Sequence, residues 1–324
     1  MKKRTIAWLI AAIVLVLAGG ILFASAMVAI GWDFARFNTA EYETNTHEIR
    51  EKFENISIET DTADVLFALS EDGKTIVECV EETKLKHSVK AENGTLEIKC
   101  TDTRKWYEHI GIKLQTTKIT VYLPAGEYAA LSVKATTGNT EIAKDFKFDS
   151  IDISATTGDI KNAASASGDI RINTTTGDIH MENVSAKNAS LSVSTGRITV
   201  IGLVCENDFH NKVRTGDTKL SNITCANLFS EGTTGYLALK NVLATEKFSI
   251  RRDTGDVTFE DCDAGEIFVK TDTGKISGTL LSEKDFSSCR SDTGSLRVPK
   301  NGSGGKCELV TDTGNITIEL SRHP

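Results

Sequence analysis

Acidic side chains recur beside the Thr-Gly dipeptides of this sequence, and they are its best candidates for metal binding. Asp253, Asp272, Asp292 and Asp312 each stand two residues before the glycine of such a dipeptide. Aspartate oxygens near turns are the ligands that the hard cation Ca²⁺ takes in some β-rolls. The spacing therefore makes these four residues candidate calcium ligands.

Basic side chains beside these acids support a competing interpretation, a lattice of surface ion pairs. Three acids have a base two residues earlier, on the same face of an extended chain: Arg251 before Asp253, Lys270 before Asp272, and Arg290 before Asp292. Asp312 has Val310 there instead, and further acids follow the bend glycines at Asp159, Asp178, Asp217 and Asp256. Columns of opposite charge neutralise each other, and the glycine spacing of calcium-binding nonapeptide repeats is absent. The ion-pair lattice is therefore favoured over calcium, and no cofactor is predicted.

Catalytic constellations are weak in this sequence. The segment Asp292-Thr293-Gly294-Ser295 resembles an aspartic-protease loop, but such enzymes need two Asp residues that face each other. Here the acids share one repeat position and would stack in a column. A polysaccharide-cleaving β-helix is a further alternative, which the scarcity of outward aromatics (Phe229, Tyr236 and Phe268) disfavours. We therefore predict no catalytic residues and no enzymatic activity.

The seven cysteines suggest core positions more than a disulfide framework. Cys205 and Cys225 share one repeat position in adjacent units, where a disulfide is within geometric reach. That position otherwise holds alanine, and small buried thiols fill such positions. Both the paired and the free state remain open for these two residues.

A repeat of 19 or 20 residues organises the chain from residue 131 to 320. Ten Thr-Gly dipeptides recur at this spacing: Thr137-Gly138, Thr157-Gly158, Thr176-Gly177, Thr195-Gly196, Thr215-Gly216, Thr234-Gly235, Thr254-Gly255, Thr273-Gly274, Thr293-Gly294 and Thr313-Gly314. Apolar residues alternate with period two on both sides of each glycine, as in Ile151/Ile153 before Gly158 and Val257/Phe259 after Gly255. Each unit therefore has two short strands with Thr-Gly at the bend.

Units of this size cannot bury their apolar face alone, so the repeat predicts an all-β protein built as a parallel β-solenoid of about ten rungs. Glycine suits a bend with positive φ, and the threonines can form a hydrogen-bonding ladder. A sandwich of hairpins is the alternative, and equal spacing favours stacked rungs. The chain ends four residues after Leu320, so the last rung would leave an open edge suited to self-association.

A β cap is predicted before the repeat, over residues 47–130. It begins with a degenerate rung at Ile56–Phe67, in which Ala63 takes the place of the bend glycine. Thr75–Val80, a hairpin around Asn93-Gly94, and Lys118–Leu123 are its further strands. Solenoids need such caps to shield the first rung.

The N-terminal segment predicts a transmembrane helix over residues 5–32. No charged residue occurs from Thr5 to Trp32, and about 20 apolar residues span a bilayer core. The basic tail 1–4 would stay in the cytoplasm, and a polar stalk over 33–46 would lead to an external domain. A cleaved signal peptide is the alternative, given Ala24-Ser25-Ala26, but the apolar run continues beyond that site.

Net charge argues against nucleic acid as a partner. The chain has 37 basic and 45 acidic residues, and three of the bases are Lys2, Lys3 and Arg4. The remainder therefore carries 34 bases and 45 acids, a net charge of −11. Such a surface repels phosphate backbones.

Several segments together resemble a known bacterial family. They are FENISIETDTADVLF, NGTLEIK, KITVYLPAGEYAALSVKATTGNTEI and the TTGDI and DTGDV repeats, behind a basic-flanked anchor. Over about residues 47–320 the chain resembles the putative adhesins with β-strand repeats, whose domain is otherwise of unknown function. The resemblance implies a bacterial envelope protein without catalytic residues. We expect a single-pass membrane protein with an external binding or structural role toward an unidentified protein or glycan, and sensing of envelope stress is an alternative.

Overall fold

The computed structural model describes residues 3–29, 31–32, 40–106 and 115–321. Within these ranges, one helix precedes 25 strands, which form a single continuous sheet. The helix α1 spans Lys3–Ala29. The strands are β1 Tyr42–Ile49, β2 Asn55–Thr60, β3 Asp64–Leu69, β4 Thr75–Glu82, β5 Leu85–Glu92, β6 Thr95–Asp102, β7 Lys118–Leu123, β8 Gly126–Thr137, β9 Thr140–Ile142, β10 Phe146–Thr157, β11 Ile160–Asn162, β12 Ser165–Ala166, β13 Asp169–Thr176, β14 Ile179–Ala186, β15 Asn188–Thr195, β16 Ile198–Cys205, β17 Asp208–Thr215, β18 Thr218–Thr234, β19 Leu237–Thr254, β20 Val257–Thr273, β21 Ile276–Leu280, β22 Arg290–Thr293, β23 Leu296–Arg297, β24 Cys307–Thr313 and β25 Ile316–Leu320.

The repeat folds as a parallel β-solenoid of about ten turns, which confirms the predicted fold class. Strands before the bends stack in register, as in the pairing of Ile151 with Leu131 on one side and Ile170 on the other. Strands after the bends do the same, as in the pairing of Ile198 with Ile179. The alternating apolar residues of both arms point inward and form one continuous core. A one-residue slip would expose every one of them, so the apolar pattern fixes the register.

The degenerate rung lies between two segments that follow it in sequence. Strands β2 and β3 pair in parallel with β8 and β9 on one side and with β6 and β7 on the other. Strands β1, β4 and β5 then add in antiparallel orientation and close this end of the rod. The first of them begins at Tyr42, within the predicted stalk, whose residues 33–39 lie outside the described part of the chain.

The other end of the rod corrects the predicted order of rungs. The last strands of the sequence, β24 and β25, insert between β20/β21 and β22/β23. The rung that ends the rod is therefore residues 290–297, and not the rung that ends the chain. Its strands have only four and two residues. Such short edge strands limit edge-to-edge pairing, so this end is a poorer self-association surface than the sequence suggested.

A second bend column, six residues after the bend glycines, was not anticipated from the sequence. Its members all have positive φ, between 52° and 71°, and are Asn183, Gly202, Asn222, Asn241 and Asp261. Asn and Asp tolerate this left-handed conformation better than other residues with a side chain. The recurrence of Asn, Gly and Asp at one repeat position was the signal available in the sequence.

Replacement of Asn222 should show that this column needs residues that tolerate the left-handed backbone conformation. Its φ is 55°, and its Oδ1 accepts a hydrogen bond of 3.0 Å from Asn241 Nδ2. We expect Asn222→Ala to lower the free energy of unfolding by about 1–2 kcal/mol, because alanine is strained in this conformation. Asn222→Gly should cost less, since glycine loses the hydrogen bond but relieves the strain. Chemical denaturation of both variants measures the order, and a more stable alanine variant would contradict the explanation.

The helix α1 contains a stretch, Trp8–Ala29, that is 22 residues long and apolar enough to cross a membrane. Its largest apolar side chains are exposed, with Leu15 and Val16 both 73% exposed. Helices of this length and composition near an N-terminus occur as membrane anchors and as signal sequences.

Candidate functional site

The bend glycines bring the rungs into main-chain contact. Nine of the ten have φ between 128° and 156°, and Gly158 lies so close to the rung before it that a Cβ atom would overlap the carbonyl oxygen of Gly138. The amide of Gly158 in turn donates to the carbonyl of Thr176 at 2.9 Å in the following rung. Main-chain hydrogen bonds therefore connect the rungs at the bends, where the sequence predicted a ladder of threonines. The bend threonines are exposed, while Thr174, Thr271 and Thr311 are buried on the inner face and donate to bend glycine carbonyls.

The acids that follow the bend glycines have a structural role. Asp159 Oδ1 accepts the amide of Asp178 at 2.8 Å, and Asp178 Oδ1 accepts the amide of Arg197 at 2.7 Å. The carboxylates of Asp217 and Asp256 accept the amide of the next rung in the same way. Charge-assisted bonds of this kind hold successive bends together, and they account for these acids without a metal ion.

The four calcium candidates do not converge on a common point. Asp253, Asp272 and Asp292 are exposed and Asp312 is half-exposed, each on its own rung of one column. Among the described residues, these acids belong to no group of three or more metal-ligating side chains with the spacing of a bound ion. The arrangement gives no support to a calcium site.

The predicted ion-pair lattice is present at one of its three positions in the described chain. Lys270 Nζ lies 3.6 Å from Asp272 Oδ1. Arg251 turns away from Asp253, and its guanidinium lies 5.6 Å from the centre of the Phe268 ring. Other cross-rung pairs, such as Lys212 with Glu231 and Lys240 with Glu260, connect side chains of one column in adjacent rungs. An acid therefore finds its base on the neighbouring rung, about 4.8 Å away, as readily as two residues earlier on its own strand, where the sequence predicted it.

A concave surface runs over the strands just before the bends, and we call it the bend-side groove. Its walls are the side chains of the residues four and two positions before each bend glycine, and its floor is the main chain of the residue between them, whose side chain faces the core. One part of it, of about 550 Å³, has a floor of Val193, Val213 and Gly232. Its walls include Lys212, Arg214, Glu231, Arg251 and Asp253. The same positions form a part of about 430 Å³ nearer the cap, where Lys134, Thr136, Ser154 and Thr156 line it.

Outward aromatic rings lie next to this groove, with their faces already occupied. His210 and Phe229 stack with ring centres 4.4 Å apart and planes inclined by 6°. Lys247 Nζ lies 5.3 Å from the centre of the Phe229 ring. Because flat stacking on a sugar needs a free ring face, these contacts weaken the case for a polysaccharide-cleaving site of the usual aromatic type.

A buried arginine interrupts the apolar interior beneath the groove. Arg252 is 2% exposed, and its Nη2 donates to Thr218 Oγ1 at 3.2 Å and to Ser230 Oγ at 3.0 Å. Its Nε and Nη1 have no hydrogen-bond partner among the described residues. The side chain fits because Gly232 holds the same position in the preceding rung, where a Cβ would overlap Nη1. Burial lowers the pKa of Arg252 to about 10, so the guanidinium stays charged at neutral pH.

The cysteines are free thiols, and two pairs lie in adjacent rungs. Cys205 and Cys225 are both buried, and each donates to main-chain carbonyls, Cys205 to Lys187 and Asp208 and Cys225 to Leu243. Burial raises the pKa of Cys225 to about 12. Cys289 and Cys307 lie at the start of the last two rungs of the rod, whose order in space is the reverse of their order in sequence. Cys289 Sγ lies 3.2 Å from the Cys307 carbonyl oxygen. A hydrogen bond from the Cys307 thiol lowers the pKa of Cys289.

Oxidation should therefore link Cys289 to Cys307 before it links Cys205 to Cys225. With oxidised glutathione as the oxidant, the two thiols lose two protons and two electrons, and the glutathione disulfide is reduced to two thiols. Cys289 reacts first because it is half-exposed and more easily ionised, while Cys205 and Cys225 are 3% and 2% exposed. Peptide mapping by mass spectrometry during the reaction measures the order. Earlier appearance of the Cys205–Cys225 peptide would contradict it, and Cys289→Ser is the control for specificity.

The comparisons with known proteins agree with this fold. The family model described as Toastrack DUF4097 matches residues 53–208 and 205–323. A putative lipid binding protein from Parabacteroides distasonis has a similar structure, with a TM-score of 0.52 and 18% identity over 76% of this chain and 98% of that one. A putative adhesin from Parabacteroides merdae gives 0.50 and 12% over the same shares. At these identities the likeness extends to the fold alone. No curated protein matches the chain.

Proposed function

Because this chain belongs to the Toastrack DUF4097 family, which confirms the resemblance to β-repeat adhesins of unknown function, we propose that it is a membrane-anchored binding protein of the bacterial cell surface. The helix α1 would hold it in the membrane, and the rod would extend outside the cell. Lys2, Lys3 and Arg4 support this orientation, since basic residues beside a membrane span stay in the cytoplasm. The role is adhesion or scaffolding without catalysis.

The bend-side groove is the observation that carries the proposal. Its floor is the main chain of Val193, Val213 and Gly232, since the two valine side chains are buried in the core, and its walls are polar and charged over several rungs. Such a furrow suits a linear polymer whose polar and charged substituents can contact the main chain of the floor and the side chains of the walls. Solenoids use extended regular surfaces of this kind for partners.

The charges of the groove favour an acidic glycan as the ligand. Lys212 is paired with Glu231 at 3.0 Å, whereas Arg214 is exposed and forms no ion pair in the described chain. A guanidinium binds carboxylate or phosphate groups through two parallel hydrogen bonds. Arg214 is therefore the residue that we expect to bind an acidic group of the polymer.

Binding of acidic and neutral polysaccharides to the full-length protein in nanodiscs of uncharged lipid tests this function. We expect Arg214→Gln to weaken binding of an acidic polysaccharide about tenfold, which corresponds to about 1.4 kcal/mol. Salt should weaken the wild-type interaction as well, because exposed charges are screened. Lys240→Gln is the matched control, since Lys240 is paired with Glu260 outside the groove. Equal affinities of both variants and wild type would argue against the groove, and release of shortened glycan would argue against a binding role.

Location in the cell is tested separately with epitopes at the two ends of the chain. An epitope after Pro324 should be accessible to antibody on intact protoplasts, and one before Met1 only after permeabilisation. The reverse pattern would contradict the proposed orientation. A shortened chain that lacks α1 after maturation would identify the helix as a signal sequence.

A further inference from the structure

Three metal-binding side chains meet inside the N-terminal cap, and we propose that Cys79, Glu81 and His87 form a zinc site. One ligand atom of each residue lies within 4.8 Å of the ligand atoms of the other two. Cys79 is 0% exposed, Glu81 is 1% exposed and His87 is 6% exposed. This inference does not depend on the proposed function.

The cap topology creates this juxtaposition. Cys79 and Glu81 alternate on β4, so both point to the same face of the strand. The strand β4 pairs with β1 and β7 on one arm of the rod, whereas β5, which carries His87, pairs with β6 on the other arm. The two strands pair with each other only at Glu82 and Leu85, so beyond this point they separate and their inner faces enclose the cluster.

Hydrogen bonds already orient two of the three groups. Glu81 Oε2 accepts from the amide of His87 at 2.6 Å and lies 2.8 Å from His87 Nδ1. Glu81 Oε1 accepts from Asn45 Nδ2 at 2.8 Å, and His87 Nε2 lies 3.0 Å from Thr60 Oγ1. Asn45 and Thr60 are outer groups of the kind that orient metal ligands, whereas the direct contact between Glu81 Oε2 and His87 Nδ1 is the one that a bound metal would replace.

The thiol of Cys79 differs from three of the four other buried thiols. Cys205, Cys225 and Cys262 each donate to a main-chain carbonyl, whereas Cys79 forms no such bond within the described ranges. Burial, with Glu81 and Glu78 nearby, raises the pKa of Cys79 to about 12. Without a cation the group is a neutral thiol at neutral pH, and a bound metal would displace its proton.

Charge and ligand type select the metal. A thiolate and a carboxylate together carry two negative charges, which a divalent cation balances in a buried site. Sulfur and imidazole nitrogen favour Zn²⁺ over Ca²⁺ or Mg²⁺. Cys100 is paired with His87 in the register of β5 and β6 but lies outside the group of three ligand atoms, so Cys79 is the one thiolate of the proposed site and water is the fourth ligand.

Metal titration of the full-length protein tests the site. The protein is first stripped of metal with a chelator and then loaded with Zn²⁺. We expect it to retain one Zn²⁺ per chain through gel filtration and to melt at a higher temperature than the stripped protein. Co²⁺ in place of Zn²⁺ should give a thiolate-to-metal charge-transfer band. In Cys79→Ser this band should be lost, and Zn²⁺ affinity should fall by more than the roughly 10–100-fold that loss of an outer partner causes.

Cys262→Ser is the matched control, because it removes another buried thiol and should leave metal binding unchanged. Circular dichroism establishes that each variant is folded. If Cys79→Ser does not fold, His87→Gln takes its place, and its Zn²⁺ affinity should be lower than that of the wild-type protein. The charge-transfer band of the wild-type protein then tests whether a thiolate binds the metal. Absence of that band, absence of a zinc-dependent melting shift, or equal zinc content in wild type and folded Cys79→Ser would each overturn the proposal.

Discussion

Replacement of Gly216 by alanine should lower the free energy of unfolding by about 2–5 kcal/mol, from strain and overpacking together. The φ of Gly216 is 135°, a conformation that residues with a Cβ rarely adopt. A Cβ would also overlap the carbonyl oxygen of Gly196 in the preceding rung. Relief would require the two rungs to separate, which would break the hydrogen bond of 3.0 Å from the Gly196 amide to the Thr215 carbonyl or its neighbours.

Gly126→Ala is the matched control for this prediction. Gly126 begins β8, its φ is ordinary, and a Cβ there would meet no atom within 4 Å. Thermal and denaturant unfolding of both variants measures the difference. Because each rung contacts only its neighbours, hydrogen exchange in Gly216→Ala should increase most in the rungs beside the substitution. Equal effects of both substitutions would show that the close main-chain approach is not required for stability.

Replacement of Arg252 by methionine should stabilise the protein by about 1–4 kcal/mol, the range found when buried ion pairs give way to apolar residues, because this guanidinium is desolvated without even an acidic partner among the described residues. The guanidinium is buried with two of its three nitrogens unpartnered in the described chain. Methionine fills similar space beside Gly232 and leaves no charge to desolvate. Ser230 keeps a partner after the change, because its hydroxyl donates to Asn211 Oδ1 at 2.7 Å.

The pH dependence of stability provides a second test of the buried charge. Burial lowers the pKa of Arg252 from 12.5 to about 10, so the unfolded chain binds more protons than the folded chain between these values. The contribution of Arg252 to stability is therefore unfavourable and constant below pH 10, and it becomes less unfavourable as pH rises from 10 to 12.5. The stability gain of Arg252→Met over wild type should shrink in that window.

Arg251→Met is the control for the same prediction, because Arg251 is exposed on the neighbouring strand position. A surface change of this kind should alter stability by at most about 0.5 kcal/mol. A destabilised Arg252→Met protein would mean that the two hydroxyl contacts outweigh the desolvation of the charge.

The sequence predicted the rod because its local rules repeat without interruption. A residue such as Ile151 needs only the residue 19 or 20 positions away as its neighbour, so spacing alone gives register, inward face and bend. The bend at Asn222 obeys the same periodicity and was overlooked because asparagine and glycine share that position. The placement of the four Asp candidates in one column followed from the repeat as well, and only their partners differed from expectation.

Other features depend on which rungs become neighbours, and the periodic pattern does not encode that choice. The last rungs share the same apolar pattern, so the periodic pattern does not distinguish their sequential order from the exchanged order of β22/β23 and β24/β25. The same holds for the cap, where only antiparallel pairing across two arms brings His87 to Cys79 and Glu81. Arg252 belongs to this class too, since its burial depends on the missing side chain of Gly232 in the preceding rung. The sequence by itself determined the rung, and the tertiary structure alone decided the ends of the rod and the polar groups enclosed within it.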